Sequence, residues 1–222
     1  MSTTQLPPCV LPKYLQENEL SNESRDLISS LPREIGWVAN QVHQYQGFWH
    51  ATRHMQGVLA CQKHFQALDI DILLVSTPKS GTTWLKAILF ALVKRAQHPD
   101  PQQHPLITNI PHVLMPFLEL NVYMEKEVPD LTALAPPRLF STHLPYVSLH
   151  DSVKHSACKV VYLCRDPKDT FVSLWHFANK LRAKSRAPFH LKKRLISSAK
   201  ELAWMGPLGS CVGVLEGEFG KA

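Results

Sequence analysis

Between residues 71 and 84 the chain reads DILLVSTPKSGTTW, and this stretch restricts the possible folds more than any other. A short run rich in β-formers leads into a turn of Pro78, Lys79, Ser80, Gly81, Thr82 and Thr83. An amphipathic helix follows, with Leu85, Ile88, Leu89 and Leu92 at i, i+3, i+4 and i+7. A buried strand, a small-residue turn and a helix start together form an anion cradle. The first N–H groups of a helix have no partner within it, and the helix dipole adds positive character there. Gly81 permits close backbone approach, Ser80, Thr82 and Thr83 offer hydroxyls, and Lys79 supplies a full charge. The loop departs from the nucleoside-triphosphate pattern, in which Lys follows the second Gly and precedes a magnesium-binding Ser or Thr. Here Lys79 precedes a lone Gly81.

Two further strands are expected, at 139–142 and at 159–163, where a Val-Val-Tyr run reads as buried on both faces. Lys79 then follows the first strand, His143 ends the second and Arg165 follows the third. In an open parallel sheet that edge is where ligands bind. The helix after the loop should run to about residue 95, with Lys94 and Arg95 at its negative end. Residues 57–67 and 169–181 also read as helical, the latter with Val172, Trp175 and His176 along one side. Asp166 is suited to cap that last helix. Residues 98–105 form a Pro/Gln/His loop, and 116–120 open a partly buried segment.

A chain of 222 residues with 45% hydrophobic composition can bury one sizeable core, so one α/β domain is expected: a central parallel sheet flanked by helices. No apolar run reaches the length of a membrane span, and residues 1–20 lack the pattern of a secretory signal. Five cysteines without a CxxC pair fit reduced thiols in the cytoplasm, with Cys158 and Cys164 as packing residues. Residues 1–30 are polar and proline-containing, and read as a flexible arm. Eight Lys or Arg between Asp169 and Glu201, with no acid among them, exceed the whole net charge of +6. They read as a solvated face or as anion steering, not as a nucleic-acid surface.

The string TPKSGTTWL resembles the phosphosulfate loop of the cytosolic sulfotransferases. PRLFSTHLP (137–145) resembles the strand carrying that family's catalytic histidine. KVVYLCRDPKD (159–169), continuing through SLWHF (173–177), resembles its 3′-phosphate motif. LPREIGW (31–37) and YQGFW (45–49) are similar to the opening segments of the plant branch, and the likeness runs from about residue 31 to 195. The resemblance implies a P-loop-like core that takes 3′-phosphoadenosine 5′-phosphosulfate, without a metal, and transfers its sulfuryl group to a hydroxyl of a small acceptor. His143 would be the general base and Lys79 would stabilise the leaving group. Lys79, Ser80, Gly81, Thr82 and Thr83 would hold the 5′-phosphosulfate, and Arg165 with Ser173 the 3′-phosphate. Trp84 would lie against the adenine or, as a helix-start residue, join the core. Arg165 has the alternative of pairing with Asp169. Phe48, Trp49, Pro116, Phe117 and Tyr146 are the expected acceptor contacts, while His112 and His176 carry no comparable argument. A non-catalytic adenosine-phosphate or partner binder and a P-loop kinase remain the competing classes.

The domain is expected over 31–200, followed by an aberrant tail at 201–222. Beyond that domain the last recognisable string is Met205-Gly206-Pro207, and the family's downstream Arg-Lys-Gly phosphate segment does not follow. Codons can be chosen for LGSCVGVLEGEFGKA (208–222) that, read one base on, encode WDHVLGYWKESLEK, which resembles the family's next segment. The expectation is a frame change at or before Leu208 that leaves the domain incomplete at its C-terminus.

Overall fold

The computed structural model describes residues 11–16, 20 and 22–182. The tail, Cys9, Cys211 and most of the basic run (from Lys184 on) therefore lie outside the described residues. Within 1–30, the described part holds a 3-10 turn at Lys13–Leu15 and a helix, α1, at Asn22–Ser30. Ile28 of α1 is buried, an anchor that the polar composition of this segment conceals.

Three short strands follow, β1 (Arg33–Glu34), β2 (Val42–Tyr45) and β3 (Phe48–Ala51), paired antiparallel in sequence order. Helix α2 (Thr52–His64) leaves β3 without a break, so it starts earlier than its apolar pattern suggests. It presses on a π-helical turn at Leu118–Val122. The contact needs Gly57, because a Cβ there would stand 1.9 Å from the carbonyl oxygen of Glu119.

The second sheet positions the chemistry. Its strands β4 (Ile72–Ser76), β5 (Leu139–Thr142) and β6 (Lys159–Leu163) are parallel, in the order β5-β4-β6. Leu74 lies opposite Ser141 on one side and Val161 on the other. The chain leaves β4 for a neighbour on one side and returns to the other, which makes the end of β4 a topological switch point. Side chains alternate across β4 as its two-residue period requires. Leu73 and Val75 pack with Val58 and Cys61 of α2, with Phe65 just past its end and with Phe140, whereas Leu74 packs with Leu139, Met115 and Phe90. Phe90 belongs to α3 (Thr82–Val93). Helices thus cover both faces, the α/β layering expected from the sequence. At the start of β4 the buried Asp71 carboxylate takes a two-pronged bond from the Arg138 guanidinium, joining β4 to β5.

The remaining helices are α4 (Pro111–Leu114), α5 (Tyr123–Glu125), α6 (Asp151–His155) and α7 (Pro167–Leu181). Asp166 caps α7 as expected, accepting from the N–H groups of Lys168 and Asp169. Arg95 donates to the carbonyl of Leu92 at the negative end of α3. Lys94 instead turns into the protein to reach the carbonyls of Ala135 and Pro136. His98 and His104 are also engaged, their rings contacting Phe90.

Three expectations are corrected. Strand β6 is not buried on both faces: Val160 is 41% exposed, because β6 is an edge strand among the described residues. Cys158 packs against the core, but Cys164 is exposed. In α7, whose helical reading holds, the packed side carries Phe171 and Ala178, and the side of Val172 and His176 is the outer one, which adds to that reading without reversing it; Phe171 meets the Trp37 ring edge-on at 5.7 Å. Finally, α3 does not bury the Leu85/Ile88/Leu89/Leu92 stripe as a unit. Its most buried positions are Thr82, Lys86 and Phe90, four residues apart, while Ile88 and Leu92 are exposed. A period count registers apolar side chains only, so it could not see a helix that turns a lysine inward.

Candidate functional site

Between β4 and α3 the backbone makes a sharp turn that requires two left-handed residues. Lys79 has φ 68° and Gly81 has φ 106°. At Gly81, the N-cap of α3, a side chain would be strained although its Cβ would meet only Leu163, at an ordinary contact distance of 3.9 Å. The carbonyl of Gly81 starts the helix by accepting from Trp84 and Leu85. The turn is fastened from within: the hydroxyls of Thr77 and Ser80 bond to each other, and Ser76 Oγ lies 2.8 Å from Thr82 Oγ1. The result is a rigid collar of N–H groups and hydroxyls facing one cleft of about 770 Å³.

The residues expected from three separate motifs meet in that cleft. Lys79, Ser80, Gly81, Thr82, Thr83 and Trp84 line it from the loop, His143 from the end of β5, Arg165 from beyond β6 and Ser173 from α7. Trp84 is 78% exposed and therefore not part of the core. Its ring is available at the cleft mouth. The Lys79 ammonium sits 4.6 Å from the centroid of the Phe177 ring. Burial, then Lys180, then Arg165 hold its pKa below the ordinary lysine value. Positive groups crowded at one spot disfavour one another, and a bound polyanion would relieve them. Arg165 does reach Asp169, at 3.3 Å, and also the carbonyl of Lys79 at 3.4 Å. Its ion pair is exposed and weak, so a phosphate could take its place.

His143 is held by three anchors. Its Nδ1 lies 2.6 Å from the carbonyl oxygen of Ser76, so Nδ1 carries the proton and donates, leaving the Nε2 lone pair to accept. Its backbone N–H donates to Glu119 Oε1 at 2.8 Å, and the Thr142 hydroxyl donates to Glu119 Oε2 at 2.8 Å. Phe117 tilts against the imidazole, with centroids 4.5 Å apart. Burial pulls the His143 pKa down to about 4, opposed by the Ser76 bond and assisted by Lys86 and His112. The ring is therefore neutral near pH 7 and can accept a proton.

The structure brings in residues that sequence reasoning did not. Glu119 is fully buried, and desolvation raises its pKa against the pull of its hydrogen bonds and of Lys86. Its signal was an acid between Leu118 and Leu120, inside an apolar run. Lys86 is fully buried as well. His112, set aside on sequence grounds, lines the cleft beside Thr83, and His54 lines it from α2. Nothing local marks either histidine, because each is placed by packing between distant segments.

The expected acceptor contacts divide. Phe117 lines the cleft, and Trp49 lines an adjoining apolar cavity of about 100 Å³ with Trp37 and Val42. That cavity shares Tyr14, Leu174 and Phe177 with the cleft, so the two adjoin. Phe48, Pro116 and Tyr146 line neither. Phe48 is buried in β3, Pro116 serves Ser141 through its carbonyl, and Tyr146 borders a separate surface hollow beside Lys154. Among the described residues no group of three or more His, Cys, Asp or Glu is arranged to hold a metal ion, and no helix is long and apolar enough to cross a membrane.

The sulfotransferase domain family matches residues 69–207. Cytosolic sulfotransferase 12 of Arabidopsis thaliana is 50% identical over 185 residues, covering 82% of this chain and 56% of that protein. Cytosolic sulfotransferase 15 of the same plant is 42% identical over 203 residues, covering 90% and 55%. The chain thus spans about half the length of the curated relatives it matches. A crystal structure of an Arabidopsis thaliana protein provisionally assigned as a steroid sulphotransferase superposes with a TM-score of 0.70 at 47% identity, covering 86% of this chain and 65% of that one. Retinol dehydratase, solved with retinol and PAP, shares the fold with a TM-score of 0.51 at 20% identity, covering 88% and 64%.

Proposed function

The chain belongs to the sulfotransferase family, and on that premise we propose that it binds 3′-phosphoadenosine 5′-phosphosulfate and transfers the sulfuryl group to a hydroxyl of a small acceptor. The observation that carries this reading is the convergence of Lys79, His143, Arg165 and Ser173, from four points along the chain, on one cleft. The donor is a polyanion, and the chemistry of the cleft suits it: a collar of hydroxyls and N–H groups, with the Lys79 ammonium and an Arg165 guanidinium held by its exposed pair with Asp169.

His143 Nε2 takes the proton of the acceptor hydroxyl, whose oxygen then forms the new bond to sulfur. The bond from sulfur to the 5′-phosphate oxygen breaks, and its electron pair stays on that oxygen. Lys79 neutralises the charge developing there, in the manner of electrostatic catalysis of phosphoryl transfer. Ser80, Gly81, Thr82 and Thr83 hold the 5′ end, Trp84 lies against the adenine, and Arg165 with Ser173 grips the 3′-phosphate through a planar fork and a hydroxyl. The apolar cavity of Trp37, Val42 and Trp49, which adjoins the cleft of His143, is large enough at about 100 Å³ to receive one ring of the acceptor, while the rest lies in the cleft. Its aromatic lining favours a phenol, flavonoid or steroid skeleton. The relatives' names place them in the cytosol, and the same compartment is assigned to this chain.

The test is sulfate transfer from labelled donor to a panel of phenols, flavonoids and hydroxylated steroids, run beside direct binding of adenosine 3′,5′-bisphosphate. Transfer to a member of the panel is expected. Nucleotide binding without transfer supports a non-catalytic binder, and absence of both overturns the proposal.

A further inference from the structure

Lys86 occupies an environment that lysines avoid. Its residue is 0% exposed, its ammonium stands 3.3 Å above the centroid of the Phe117 ring, and it lies 3.0 Å from His112 Nδ1. On the other side of that imidazole, Nε2 lies 3.2 Å from Thr83 Oγ1, in the loop that lines the cleft. A lysine is therefore connected through one histidine to a hydroxyl of the anion collar.

The chemistry of the three groups orders the protons along this chain. An ammonium donates and cannot accept, so at the Lys86 contact His112 Nδ1 must supply the lone pair. A neutral imidazole whose Nδ1 accepts carries its hydrogen on Nε2. That N–H then donates to Thr83 Oγ1, and the Thr83 hydroxyl hydrogen is left free to point elsewhere. With the opposite tautomer, Thr83 would spend its hydrogen on His112 and offer the cleft only lone pairs. Burial pulls Lys86 down to about 7 with Glu119 opposing, and burial together with Lys86 holds His112 below its ordinary value. The lysine beside it thus favours the neutral form of the imidazole.

We propose that Lys86 fixes His112 as its Nε2–H tautomer, and that His112 in turn holds the Thr83 hydroxyl as a hydrogen-bond donor aimed at the 5′-phosphosulfate. This role rests on the sulfuryl-donor reading of the cleft. His112 and Lys86 are positioning residues: they act through Thr83. The arrangement also explains why α3 turns a lysine inward. From position 86, one turn beyond Thr82, a long side chain reaches under Phe117 to the far nitrogen of His112.

Two measurements on the 222-residue chain at pH 6.5 test the inference. Two-bond proton–nitrogen spectra of histidine-labelled protein, with His112 assigned by its loss in His112→Gln, should show the Nε2–H tautomer before any ligand is added. The Nδ1–H tautomer, or an imidazolium, overturns the proposal whether or not a nucleotide binds. Calorimetric affinity for adenosine 3′,5′-bisphosphate should fall roughly 5- to 30-fold in His112→Phe and in Lys86→Met. The double variant His112→Phe/Thr83→Val should be no weaker than Thr83→Val alone. His112→Gln, whose amide nitrogen can donate from nearly the same place as Nε2, should recover most of the loss. Additive losses, or unchanged affinity in a folded His112→Phe protein, overturn the role. A wild-type chain that does not bind the nucleotide removes the donor reading itself, an outcome distinct from unchanged affinity in the variants.

Discussion

Lys79 and Lys86 lie seven residues apart on either side of one helix start, and their surroundings could hardly differ more. Lys79 sits in a left-handed turn at the cleft, near Phe177, Arg165 and Lys180. Lys86 is sealed beneath Phe117 against His112, within the influence of the buried Glu119 carboxylate. The first is placed by its own neighbours, because a strand, a glycine and a helix start suffice to build the loop. The second is placed by residues 26 to 33 positions further on, which meet it only after the chain has folded back. A charge at the wall of a site can act directly on a ligand, whereas a charge behind the wall acts by fixing what stands in front of it.

The contrast can be broken at several points. Replacing His143 with Ala should cost the most, about 10²–10⁴ in kcat, with affinity for adenosine 3′,5′-bisphosphate nearly unchanged. An equal loss in nucleotide affinity would mean that the imidazole is a binding group, not a base. Lys79→Met should lower kcat by about 10²–10³ with a thermal midpoint close to wild type, since the loop lysine pays no large burial cost. A variant that unfolds instead would place Lys79 with the structural residues.

Behind the wall the balance should reverse. In Glu119→Gln one carboxylate acceptor becomes a donor facing either the His143 N–H or the Thr142 hydroxyl. That hydroxyl already accepts from the Leu144 N–H, so it cannot turn away without loss. Denaturant unfolding should show a loss of about 1–3 kcal/mol, accompanied by a lower kcat as the base loses its anchor. Stability equal to wild type would show that the carboxylate is not the brace the geometry indicates.

The smallest effect concerns the buried histidines of the α2 side. His50 is 4% exposed and burial pulls its pKa down to about 4. It packs edge-on against His54, which is lowered as well. The unfolded chain binds a proton at His50 from about pH 6.5 downward, while the folded chain resists until about pH 4. Stability is thus complete above about pH 6.5 and is lost as pH falls through that window. Between pH 7 and pH 5, His50 alone should lower the thermal midpoint by roughly 4–8 °C. His50→Phe should flatten that slope, and an unchanged slope would assign it to other groups.

The legible part of the fold followed from local rules. Strands β4, β5 and β6 occupy the segments read from their β-branched and apolar runs, and the anion loop lies where Gly81 and the hydroxyls required it. The Asp166 cap was visible because capping depends on a few adjacent residues. The illegible part needed knowledge of partners. The stripe on α3 was read from Leu and Ile alone, yet Ile88 and Leu92 face outward while Lys86 is buried. Tyr146 is expected as an acceptor contact because it is aromatic and near a pocket segment of the family, but it sits in a 3-10 turn at Tyr146–Ser148 and borders a separate hollow instead of the cleft. Trp37 and Trp49 came together in one apolar wall through β2, β3 and α7, elements with no shared pattern in the chain.

By itself the sequence determined a parallel three-stranded core with a glycine turn after its first strand and Lys79, His143 and Arg165 at or just beyond the strand ends. Those features depend on hydrogen-bond periodicity and on backbone angles that neighbouring residues dictate. Only the tertiary structure decided which polar groups stand behind that edge, how Lys86, His112 and Glu119 pair, and which aromatics wall the adjoining cavity. A buried charge is tolerated only where distant donors and acceptors converge on it, and that convergence exists only once the layers have packed.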